Sequence, residues 1–163
     1  METLKKNPYI ASSNRLADVI AAIQAMGVYR HHMCSFNTWA KRIVGDQCQG
    51  DYWKAIFEQH PEFFRLDTTR RLASLVWRRQ FPKRYNVDQG KQLTEQEYVL
   101  LPPAGRRQLS RPPLSASDIK TLIDTAINLH SQALEIQREK RWWVHPASSL
   151  SGALIGALLG TRA

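Results

Sequence analysis

The sequence predicts a mainly α-helical chain that carries one small β-hairpin. Three observations point there. Apolar residues recur at helical spacing in three short segments before Pro61, and the period breaks into two short apolar runs between Phe63 and Arg78. A long apolar stripe at steps of three and four then returns beyond Ser115. With 163 residues, 43% of them hydrophobic, and five each of Trp, Tyr and Phe, the chain can bury one core of ordinary size. Two large domains and wholesale disorder are excluded.

The first helix starts after Ser13 or Asn14, either of which can cap it, and places Leu16, Val19, Ile20, Ile23 and Met26 on one face before Gly27 stops it. Ser35 caps a second, with Phe36, Trp39, Ala40 and Ile43 on a shared face and Gly45 at its end. Asp51 opens a third, in which Tyr52, Trp53, Ile56 and Phe57 face inward and Lys54, Glu58 and Gln59 face out until Pro61 ends it. Three short helices in so little chain form a compact bundle. Next comes Phe63-Phe64-Arg65-Leu66, then polar Asp67-Thr68-Thr69-Arg70-Arg71, then Leu72-Ala73-Ser74-Leu75-Val76-Trp77-Arg78, which is the pattern of a hairpin.

Three helices followed by a hairpin, with HPEFFRLD leading in and LASLVWRR returning, resembles a winged helix-turn-helix domain over residues 12–80. The resemblance is to the superfamily and rests on element order, lengths and apolar pattern. It implies that the third helix enters a DNA groove and that the hairpin tip touches phosphate. Transferred to this chain, those roles fall on Gln49, Lys54 and Gln59 of the helix and on Arg70 and Arg71 at the tip. Arg65, Arg78 and Arg79 flank the wing, with Lys83 and Arg84 just beyond. The third helix has one Lys, no Arg, and carries Asp51 and Glu58 with Glu62 just past it, which favours backbone contact over base readout.

The charge distribution agrees with a basic wing. The formal net charge is +9, and residues 65–113 hold eleven Lys and Arg against Asp67, Asp88, Glu95 and Glu97, while the flanking stretches are close to neutral. Such a balance favours acidic partners such as nucleic acid or an anionic membrane. Residues 81–113 contain Pro82, Pro102, Pro103, Pro112 and Pro113 with no sustained period, and are expected to be a basic, Pro-rich connector. Within it, Gln92 to Leu101 suits a helical turn or an edge strand.

Residues 114–163 form the third region. Ser115 or Ser117 caps a long helix whose stripe runs through Ile119, Leu122, Ile123, Ala126, Ile127, Leu129, Ala133, Leu134 and Ile136 and needs a partner, either the first domain or a second copy. Past Trp142 and Trp143, Ser148, Gly152, Gly156 and Gly160 fall at steps of four, a spacing that lets helix backbones approach closely in membranes. About 14 residues of helix reach roughly 21 Å against a hydrocarbon core of roughly 30 Å, so a thin span, an interfacial helix and a glycine-packed tail stay open.

No phosphate-binding glycine loop, HExxH or GxSxG elbow is present, and no catalytic residue, metal or cofactor is expected. His31, His32, Cys34, Cys48 and His60 lack the paired spacing of zinc ligands. Two cysteines make no disulfide framework, and with no apolar signal region at the start they fit a cytoplasmic setting, including the inner face of a membrane. The expectation is therefore a non-enzymatic nucleic-acid-binding protein, DNA ahead of RNA, whose C-terminal helices self-associate or dock a protein. The alternative is a membrane-associated adaptor whose first domain binds protein and whose tail oligomerises in the bilayer.

Overall fold

The computed structural model describes residues 7–142, of which residues 140–142 are described by backbone alone. The N-terminal part runs α1 (Arg15–Val28), β1 (Met33–Ser35), α2 (Phe36–Val44), α3 (Gly50–Gln59), β2 (Phe64–Leu66) and β3 (Leu72–Leu75). The expected helices are in place, although α1 runs through Gly27, expected to stop it, to Val28, with Tyr29 as its C-cap. Ser35 Oγ accepts from the Thr38 N–H to cap α2, and Gly45 ends it at φ 80°, in the left-handed region that glycine enters without cost. Asn14 is the N-cap residue of α1, although its side chain makes no capping bond.

The sheet differs from a bare hairpin. β2 and β3 pair antiparallel as expected, Phe64 opposite Leu75 and Leu66 opposite Ala73. Met33–Ser35 then adds a third strand on the far side of β3, in the order β1-β3-β2. Three residues are too short for alternation to show in sequence. The returning strand also stops at Leu75, and Trp77–Gln80 turn into a 3-10 helix.

The core lies between the helices and the sheet. Val19, Ile23 and Met26 of α1, Trp39 of α2, and Trp53, Ile56 and Phe57 of α3 close on Phe63, Phe64, Ala73 and Leu75. Burying such side chains stabilises the fold by about 1.5–3 kcal/mol each. Trp39 satisfies its indole N–H on the Ala73 carbonyl at 2.9 Å, which ties α2 to the sheet.

Residues 81–113, expected to be a basic, Pro-rich connector with a helical turn or an edge strand at Gln92 to Leu101, are folded throughout, and the helical turn is present. β4 (Tyr85–Asn86) and β5 (Lys91–Gln92) make a small hairpin. α4 (Glu95–Leu100) follows behind a Thr94/Glu97 capping box, and α5 (Pro103–Gln108) begins at the proline pair. Tyr85 and Ser110 exchange backbone hydrogen bonds of 2.9 and 2.8 Å, closing the segment into a loop with joined ends. Several of its charges hold it together. Arg84 pairs with Glu95 at 2.5 Å, Lys91 with Glu97 at 2.8 Å, and the guanidiniums of Arg84 and Arg106 lie 5.1 and 5.0 Å from the Tyr98 ring centre.

α6 (Ala116–Trp142) is the expected long helix, capped by Ser115 and Asp118, which exchange bonds between side chain and backbone. It finds its partner in α1 and runs antiparallel to it. Leu114 donates its N–H to the Gly27 carbonyl at 2.9 Å, while His130 Nδ1 lies 3.1 Å from the Tyr9 carbonyl beyond the other end of α1. Gly27 serves packing instead of stopping the helix, because a Cβ there would meet Ile119 Cγ1 at 2.9 Å. Leu122, Ala126 and Ala133 are buried, and Ile127 and Ile136 remain exposed.

Among the described residues no helix is long and apolar enough to cross a membrane. The glycine-stepped stretch with Gly152, Gly156 and Gly160, and Trp143, lie outside the described residues. So does the side chain of Trp142.

Candidate nucleic-acid interface

The hairpin tip is built by Asp67. Its carboxylate accepts from the Arg71 and Leu72 N–H groups at 2.8 Å each, from the Thr69 N–H at 3.3 Å, and from the Thr69 hydroxyl. The Thr69 hydroxyl, followed by the Leu72 and Arg71 amides, holds this carboxyl down to about 2. Asp67 also closes the turn through its backbone, accepting from the Arg70 N–H at 3.0 Å. Within that turn Arg70 sits at φ 55°, a left-handed conformation in which Gly or Asn is at ease and Arg is strained.

Arg70 and Arg71 are both exposed at the tip. They differ in company. Arg70 reaches back to Glu58 of α3, Nη2 to Oε1 at 2.7 Å, whereas Arg71 is in no ion pair among the described residues. Arg65, on β2 opposite Ser74, is exposed beside them, and Arg79 is exposed on the 3-10 turn after β3. A cleft of about 290 Å³ bounded by Glu58, Arg65, Asp67 and Arg70 lies between α3 and the hairpin.

Arg78 departs from the expected role. It is fully buried, and its guanidinium donates to the carbonyls of Met26 at 2.9 Å, Tyr29 at 2.5 Å and Arg111 at 2.5 Å. A phosphate cannot reach it. The side chain joins the end of α1 to the chain entering α6, and burial pushes it down to about 10, still charged at neutral pH. Arg84 is likewise engaged, by Glu95 and Tyr98.

The candidate residues of α3 are less available than the arginines of the hairpin. Gln49 precedes α3 and donates to Asp46 at 3.3 Å, Gln59 is exposed at the last turn, and Lys54 is half-buried with its ammonium 5.8 Å from the Phe36 ring centre. Asp51 and Glu58 share the exposed surface of α3, and Tyr52 donates its hydroxyl to Asp18 at 2.6 Å. An anionic groove would meet carboxylates along this helix.

Sequence counting also passed over a basic patch on α2. Lys41 and Arg42, with Asn37, Thr38 and Gln47, line a polar depression of about 570 Å³, and Arg42 stacks on Tyr29 at 4.1 Å from the ring centre. The signal was hidden because Glu2, Asp18, Asp46, Asp51, Glu58 and Glu62 offset these cations in any count along the chain.

Of the histidines and cysteines, His60 is buried and bonded through Nδ1 to Glu62 at 3.0 Å, Cys34 is half-buried, and Cys48 is exposed. Among the described residues no group of three metal-ligating side chains converges. Comparison of the chain with known protein families, curated proteins and solved structures finds no match.

Proposed function

We propose that this is a winged-helix protein that captures nucleic acid through its phosphate backbone, with Arg71, Arg65 and Arg79 as the first contacts and Arg70 held in reserve by Glu58. The order α1-β1-α2-α3-β2-β3, with a sheet ordered β1-β3-β2, supports the winged-helix assignment. The observation that carries the functional part is the tip. A strained Arg backbone and an adjoining exposed Arg are held in a turn that a low-titrating Asp67 staples from within. Strain kept at an exposed cationic turn serves presentation of the side chains better than it serves stability.

Capture works by counterion release, with guanidiniums replacing condensed cations at phosphate oxygens. The acidic exposed face of α3 argues for binding that tolerates any sequence. DNA is the expected form, since a protruding wing beside a helix suits the grooves of a duplex. α6 braces the domain from behind, along α1.

The test is fluorescence anisotropy of the full chain on labelled duplex DNA, single-stranded DNA and RNA at two salt concentrations. Salt-sensitive micromolar or tighter binding to duplex is expected. Absence of binding at low salt would reject the proposal and leave the domain as a protein-docking module.

A further inference from the structure

A second basic site lies apart from the wing tip. His31 and His32, in the chain between α1 and β1, face Lys83 and Arg107 of the folded 81–113 segment across a cleft of about 740 Å³. Asp88 is the one carboxylate that lines it. Met33, Leu72, Val87 and Leu109 give it an apolar wall. We propose that this cleft binds a phosphorylated ligand of nucleotide size, its phosphoryl group held by Lys83 and Arg107 and its flat apolar body laid against Met33 and Leu109.

The volume falls within the range of small-molecule sites, and the lining pairs an apolar surface with a few convergent polar groups. Arg107 offers a guanidinium that can grip two phosphate oxygens, and Lys83 adds a point charge. The Lys83 ammonium donates to the Arg107 carbonyl at 3.4 Å, and among the described residues neither Lys83 nor Arg107 is in an ion pair. His32 is fixed in place. Its backbone N–H donates to Ser110 Oγ at 2.9 Å and its Nδ1 lies 3.0 Å from the same oxygen, so Nε2 is the ring's remaining polar atom.

Both imidazoles are held below their usual value, by burial first and by nearby cations second. Burial lowers His31, helped by Arg30, Arg42 and Arg78 and opposed by Asp88. Burial lowers His32 to about 4, helped by Arg78, Arg111, Lys83 and His31. A phosphate dianion entering the cleft would reverse the electrostatic part of both shifts.

The test is calorimetric titration of the full chain with inorganic phosphate, a 5′-mononucleotide, and single strands of one sequence with and without a 5′-phosphate, while NMR follows the His31 and His32 ring resonances. Binding of the mononucleotide about tenfold or more tighter than inorganic phosphate is expected, with both rings titrating at higher pH in its presence. Lys83→Gln with Arg107→Gln should abolish it, and both side chains are exposed, so the fold survives. A phosphorylated strand that outbinds its hydroxyl twin would place the ligand at a strand end; equal strands with a binding mononucleotide would make it free nucleotide. Equal affinity for inorganic phosphate, unmoved histidine resonances, or binding that survives the double substitution would each overturn the proposal. Arg71→Ala leaves this titration unchanged, so its outcome is separable from that of the wing.

Discussion

Arg71 and Arg78 belong to one run of like charge in the sequence, and burial gives them different tasks. Arg78 serves three carbonyls from two distant stretches of chain. Arg78→Met should lower stability by about 3 kcal/mol or more, because it strands buried acceptors, and Arg78→Lys should recover only part, since one ammonium cannot span the three. Denaturant unfolding followed by Trp fluorescence reads both. Glu58 has the opposite character. Its ion pair with Arg70 is largely exposed and contributes little to stability, at most about 1 kcal/mol. Glu58→Gln should leave the melting temperature within a few degrees and, on the proposed function, tighten duplex binding, because it frees Arg70 and removes a negative charge beside the hairpin tip. A weaker complex would show that Glu58 positions Arg70 for contact.

At the scale of elements, the docking of α6 on α1 turns on one missing side chain. Gly27→Ala sets a methyl group against Ile119 and should cost about 1–3 kcal/mol, and Ile119→Ala in the same chain should restore part of the loss. A thermal double-mutant cycle measures the coupling, and simple additivity would mean the close approach is unimportant. α1, α2 and α3 were legible in sequence because their apolar faces repeat at helical spacing and Ser35, Gly45 and Pro61 punctuate them. β1 was not, since three half-buried residues carry no period. Apart from the helical turn expected at Gln92 to Leu101, the folding of residues 81–113 was hidden for another reason. Its proline spacing denies one long helix, and what holds it are distant partners such as Tyr85 with Ser110 and Arg78 with Arg111, which no local pattern announces. The candidate site was legible only in that Arg70 and Arg71 fall on a turn. It was misread where Arg78 turns inward, because charge in a sequence reads as surface until something buried claims it.

At the scale of the whole molecule, the positive charge of the described residues is divided between holding the fold and standing exposed. Arg78, Arg84, Arg106 and Arg111 are spent on carbonyls, a carboxylate and a Tyr ring, while Arg65, Arg71, Arg79 and Arg107 remain exposed. The histidines that face this excess also make stability depend on pH. His32 titrates at about 4 in the fold and at the usual imidazole value of 6.5 when unfolded, so the unfolded chain binds a proton first as pH falls. Its contribution is fully present above about 6.5 and is lost down to about 4, which should remove about 1–2 kcal/mol after solvent screening is allowed for. His32→Gln should flatten the fall in melting temperature across that window; an unchanged profile would assign it elsewhere.

The salt dependence of duplex binding tests the wing most directly. Anisotropy of the full chain, its Arg71→Ala variant and its Glu58→Gln variant on one labelled duplex, across a series of salt concentrations, gives the slope of log K against log salt for each. Loss of one phosphate contact should flatten the slope by about one for Arg71→Ala, and a freed Arg70 should steepen it by about one for Glu58→Gln. Three parallel lines would contradict the account, because the hairpin tip would then lie outside the interface.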